Sequence, residues 1–131
     1  MTTRHASCSC GQLTIETSGE PLRISVCHCL ACKRRSGSAF AVQARFARTN
    51  VTIQGRSSQY VLAGDSGQKA TFHFCPDCGA TVHYHAQQSP DVVAVPVGAF
   101  ADPAFPAPTV SVYKDRQHPW VQLVGPIEYI D

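Results

Sequence analysis

Charge of one sign is scarce in this chain, and so are long apolar runs. Eleven basic residues stand against nine acidic ones, for a formal net charge of +2. That surplus is too small to attract a nucleic acid by bulk electrostatics, so no nucleic-acid partner is expected. The longest apolar stretch, Val92 to Phe100, is interrupted by Pro96 and Gly98. It falls far short of the roughly 20 residues a spanning helix requires, and no membrane partner is expected. Met1 to Ala6 holds no apolar segment of the kind found in secretory signals, which leads us to expect a cytoplasmic protein. Repeats, low-complexity tracts and compositional breaks are also lacking, so residues 1–131 read as a single domain.

Cysteine, by contrast, is plentiful and clustered. The seven fall as Cys8-Ser9-Cys10-Gly11, Cys27-His28-Cys29-Leu30-Ala31-Cys32 and Cys75-Pro76-Asp77-Cys78-Gly79. Disulfides explain this poorly. Seven is odd, neighbours one residue apart rarely bridge, and a chain of this length builds a core without staples. A redox dithiol would need a βαβ setting that the sequence does not offer. Zinc accounts for all seven: four soft ligands make a closed structural site, and three leave a position open.

Hydrophobic periodicity favours strands. Leu13–Thr17, Ala39–Phe46, Val51–Ile53, Tyr60–Leu62, Ala70–Phe74, Thr81–His85, Val92–Val97 and Val110–Tyr113 are short, alternating or β-branched, and bounded by turn residues. Only Leu30 to Arg35 reads as a helical turn, and Gly37 stops it. Pro103, Pro106 and Pro108 make an irregular loop. The fold class expected is mostly β and antiparallel, organised around zinc-binding turns, with very little helix.

Cys75 and Cys78 fall in the turn between two strands, where a backbone reversal can aim both sulfurs at one ion. Cys8 and Cys10 share the same trailing glycine. Pooled, the four make a structural site tying the N-terminus to the middle of the chain. Cys27, Cys29 and Cys32 sit within six residues, at the end of a strand-like run and the start of the helical turn, and form a second site with a vacancy for a serine, a distant histidine or water. His28, between two ligands, is expected to point away. Lys33, Arg34 and Arg35 follow at once, either to offset thiolate charge or as a solvated patch. His83 and His85 read as a solvated strand face and His73 as an outward residue. Trp120 and Phe100 read as core or rim packing, Tyr113 as structural, and Asp77 as a turn cap or a solvated residue.

The cysteine pattern, together with Ser36-Gly37-Ser38-Ala39-Phe40 and Phe74 before the third cluster, resembles the glutathione-dependent formaldehyde-activating enzyme family. The centromere protein V domain belongs to the same group. Val95 to Pro103 and His118-Pro119-Trp120 extend the similarity, which covers about Cys8 to Trp120. The resemblance implies a β-tent fold with two zinc ions. It assigns Cys8, Cys10, Cys75 and Cys78 to a structural ion, and Cys27, Cys29 and Cys32 to an exchangeable, catalytic one. The activity implied is formation of S-hydroxymethylglutathione from glutathione and formaldehyde, classed in reverse as a carbon–sulfur lyase. Its substrate carries two carboxylates, and Arg34 or Arg35 could hold one by paired hydrogen bonds. Two other functions fit the same pattern: a zinc-stabilised binding module without catalysis, and a metal buffer or thiol sensor.

Overall fold

A computed structural model describes residues 1–130. The strands run β1 (Thr3–Ser7), β2 (Thr14–Ser18), β3 (Arg23–Cys27), β4 (Ala41–Ala47), β5 (Val51–Gln54), β6 (Ser58–Ala63), β7 (Lys69–Phe74), β8 (Thr81–Ala86), β9 (Val92–Pro96), β10 (Val110–Val112) and β11 (Glu128–Ile130). One α-helix, α1 (Leu30–Ser36), links β3 to β4. The mostly-β expectation holds, and the helix is where Leu30 to Arg35 placed it. Among the described residues no helix is long and apolar enough to cross a membrane.

The strands form two sheets. The smaller has the order β1-β2-β5 and is antiparallel. The larger has the order β11-β10-β3-β4-β9-β8-β7-β6. It is antiparallel except at one edge, where β10 runs parallel to both β3 and β11. Strands β1 and β11 have no counterpart in the sequence reading. In β1 only Ala6 is buried, and β11 is exposed or half-buried throughout, so neither carries the alternation that betrays a strand.

The main core lies against the smaller sheet. Ala6, Leu13 and Ile15 meet Ile24, Ala44, Phe46, Val82, Val93 and Val95 from the larger one, and Phe100 closes the cluster. Phe100 is therefore a core residue, as expected. Trp120 is neither core nor rim: it is 72% exposed and stacks on His118 at 5.1 Å. On the opposite face of the larger sheet, Phe72, Tyr84 and Ala94 make a second, smaller cluster. Arg35 reaches it from α1, with its guanidinium 4.7 Å from the Phe72 ring centre and 5.4 Å from that of Tyr84.

His83 departs from expectation. Instead of facing water it is buried, and its ring stacks on His73 at 4.3 Å. The reason is a register shift: His73 pairs with His83 but Phe74 pairs with Thr81. Such a bulge breaks the two-residue alternation. Val82, His83 and Tyr84 are consequently all buried in succession. His73 is half-buried rather than outward.

Burial, reinforced by the charges of His73, Arg48 and His85, brings the His83 imidazole down to about 4. Above pH 6.5 both folded and unfolded chains keep it neutral, and it contributes nothing to pH dependence. As the pH falls below 6.5 the unfolded chain binds a proton first. Stability is therefore lost between about 6.5 and 4, by roughly 3 kcal/mol at most. Urea unfolding of His83→Phe at pH 7 and pH 4 should show a shallower loss than the parent; equal losses would assign the acid sensitivity elsewhere.

Candidate metal centres

Two short backbone loops build the first cluster, and they are near copies. In one, the Cys8 N–H donates to Leu13 O (2.9 Å) and the Gly11 N–H to Cys8 O (3.1 Å). In the other, the Cys75 N–H donates to Ala80 O (2.9 Å) and the Gly79 N–H to Cys75 O (2.8 Å). Gly11 and Gly79 take φ of 85° and 81°, a region where a side chain is strained. Each loop turns its cysteines toward the other, and all four sulfurs lie within 4.8 Å of one another. Cys8 to Cys10 and Cys10 to Cys75 are both 3.6 Å apart. A tetrahedral ion with metal–sulfur bonds of about 2.3 Å sets its ligands about 3.8 Å apart. The donor set thus fits a metal ion without rearrangement.

Gln12 supports this cluster and has no signature in the sequence. Its Nε2 donates to Cys75 Sγ (3.0 Å) and to Arg56 O (2.8 Å), while its Oε1 accepts from the Arg56 N–H (2.9 Å). The chain must pass close for this to happen. A Cβ at Gly55 would lie 2.1 Å from Gln12 O, and Gly55 has φ +104°. Arg56 in turn pairs with Asp77 at 2.5 Å, and Asp77 stays exposed as expected while gaining that partner. Burial resists ionisation of Cys75. Hydrogen bonds from Gln12 and from the Cys78 and Asp77 backbone outweigh it and bring the thiol down to about 6.

The second cluster grows from one stretch of chain. Cys27 ends β3, Cys29 caps α1, and Cys32 lies in its first turn. The Cys29 sulfur accepts from the Cys32 N–H at 3.2 Å. The three sulfurs lie within 4.8 Å of one another, and no fourth Cys, His, Asp or Glu donor joins them among the described residues. Cys27 and Cys29 are buried, whereas Cys32 is part-exposed. Hydrogen bonds from Cys27 and then Cys32 hold the Cys29 thiol down to about 2. The same contacts push Cys27 and Cys32 up. Three sulfurs this close together are a donor set that could hold a soft metal ion.

Family membership follows the same residues. The family model described as glutathione-dependent formaldehyde-activating enzyme matches residues 3–116. The chain belongs to the glutathione-dependent formaldehyde-activating enzyme family. A crystal structure of a Rhodobacter sphaeroides protein is similar at 24% identity with a TM-score of 0.56, covering 72% of this chain and 85% of that one. That likeness is one of fold. Comparison with curated proteins finds no match.

Around the second cluster of this family member, distant segments lock α1 in place. Asp65, in the β6–β7 loop, accepts from the Leu30 N–H (3.0 Å) and the Ala31 N–H (3.3 Å). Arg116 pairs with Asp65 at 3.4 Å, and Lys33 donates to the Arg116 carbonyl. Lys33 is therefore engaged in holding two segments together. Arg34 is exposed on α1, and Arg35 lies over Phe72 and Tyr84. His28 does turn from the sulfurs, as expected. Its ring is fully buried 6.0 Å from Phe40, and neither ring nitrogen has a partner among the described residues. Tyr113 takes a left-handed φ of 60° directly after β10, with Arg116 5.1 Å from its ring centre.

Proposed function

We propose that the two clusters bind two zinc ions, a structural one at Cys8, Cys10, Cys75 and Cys78 and an exchangeable one at Cys27, Cys29 and Cys32. The protein then acts as a carbon–sulfur lyase-type enzyme that joins glutathione and formaldehyde into S-hydroxymethylglutathione in the cytoplasm. The observation that carries this reading is the triad of sulfurs, without a fourth protein donor among the described residues and part-exposed at Cys32. Membership of the family supports the substrate pair.

Zinc held by the triad would supply the positive charge that keeps an incoming thiol deprotonated at neutral pH. The chain's own residues do the rest. Cys32 marks the side from which a thiol enters, because the other two sulfurs are buried. The substrate sulfur forms the new bond to the aldehyde carbon. The carbonyl electron pair moves to oxygen, which takes a proton from water, and the thiol proton is released. Three cysteine thiolates around a divalent ion carry a formal charge of −1, and the substrate sulfur makes it −2. Arg34 and Arg35 on α1 offset that charge, and the exposure of Arg34 supports its holding a glutathione carboxylate.

Metal analysis combined with thiol titration tests the reading. Two zinc ions per chain, one of them responding to glutathione, is the expected result. Arg34→Ala with Arg35→Ala should weaken glutathione binding. One tight ion with no thiol response would instead favour a zinc-stabilised binding module.

A further inference from the structure

We propose that a basic trough on the face of the larger sheet, built by Arg23, Arg45 and Lys69, is a carboxylate-binding subsite that selects acidic thiols. This rests on the reading that a thiol enters at Cys27, Cys29 and Cys32. The trough is a cavity of about 410 Å³, and among the described residues neither Asp nor Glu lines it. Arg23 stands directly opposite Arg45 across β3 and β4, and Ala94 lies opposite Arg45 on β9. Tyr84 pairs with Ala94. All four therefore share one face of the sheet.

Arg23 and Arg45 set two guanidiniums side by side, an unfavourable pair that the Glu128 charge offsets only in part, and an anion between them relieves it further. Neither Arg23 nor Arg45 forms an ion pair among the described residues. The Arg23 Nε is buried and has no hydrogen-bond partner among the described residues. Burial and then the Arg45 charge depress the Arg23 guanidinium, while Glu128 and Tyr84 act only partly against them. Arg45 is held in position: its Nη1 donates to Ser25 Oγ at 2.8 Å, and Ser25 also accepts from Gln43 at 3.0 Å.

The trough and the second cluster are one strand apart in reach. Arg23, Ser25 and Cys27 alternate along the same face of β3, so Arg23 and Cys27 are about 13 Å apart along the strand. In a tripeptide with a central cysteine and a γ-glutamyl arm, the sulfur and that arm's carboxylate lie up to about 10 Å apart when extended, and an arginine side chain covers the remainder. A tripeptide-sized thiol with terminal carboxylates can therefore touch both ends. Tyr84 lines the trough, and Arg35 reaches its ring from α1 at 5.4 Å. Small neutral or basic thiols would reach only the sulfur end.

Calorimetric titration of the zinc-loaded protein with γ-glutamyl-alanyl-glycine, the glutathione skeleton without its thiol, reads the subsite alone. Binding to the parent is expected, with Arg45→Gln and Arg23→Gln weaker by about 10- to 100-fold. Arg45→Lys should recover part of the loss. Lys69→Ala, at the exposed rim, should cost a smaller factor and reports even if the arginine variants fail to fold. Cysteamine, a thiol without a carboxylate, should titrate the parent and the variants alike. Failure of the desthiol peptide to bind the parent, or equal binding to parent and variants, would overturn the subsite while leaving the thiol reading intact. Loss of peptide affinity in the variants with no thiol response in any protein would keep the subsite and remove the thiol reading.

Discussion

Replacing Cys75 by serine should cost the protein one metal ion and roughly 5 kcal/mol of stability. No other ligand in the first cluster is so heavily committed. Its sulfur is fully buried, lies 3.6 Å from Cys10, and accepts from the Gln12 amide at 3.0 Å and the Asp77 N–H at 3.4 Å. A serine oxygen is shorter and harder, so it serves a soft-metal site poorly. Without the ion, the loops at Cys8 and Cys75 lose what joins the smaller sheet to the end of β7. Cys78→Ser, at an exposed ligand, should be milder. Metal content and denaturant unfolding measure both. Should Cys75→Ser keep its full metal content and unfold with the parent, the first cluster is not what anchors these loops.

The second large effect is expected at Cys29→Ser, and it should be of the opposite kind. Cys29 caps α1 by accepting the Cys32 N–H. Serine is among the best residues at that position, so the helix keeps its cap. Asp65 continues to hold the Leu30 and Ala31 N–H groups. Stability should therefore change by no more than about 1 kcal/mol, while metal content drops from two ions to one. The thiol response should fall by about 100-fold or more, because second-cluster binding needs all three sulfurs. A collapse in stability matching that of Cys75→Ser would mean that the triad is a structural anchor too.

What could be read from the chain and what could not divide along a physical line. The cysteine loops were legible because metal geometry demands closely spaced ligands and a glycine after each turn, and both demands are local. The helix over Leu30 to Ser36 was legible from its composition and from Gly37, whose N–H closes it onto Lys33 O at 2.9 Å. His83 was misread because a one-residue shift in pairing moved it from surface to interior, and register is decided by the partner strand. Gln12, Asp65 and Arg116 escaped notice for a related reason. Each acts on a residue tens of positions away, so nothing beside it in the sequence signals its role. Arg23 and Arg45 become neighbours only when β3 and β4 pair.

The two clusters also differ in when they can exist. On a chain leaving the ribosome N-terminus first, the triad at Cys27, Cys29 and Cys32 is complete once Cys32 emerges. The four-sulfur anchor must wait for Cys78. A nascent chain thus offers the three-sulfur cluster to a metal ion before the four-sulfur one is complete.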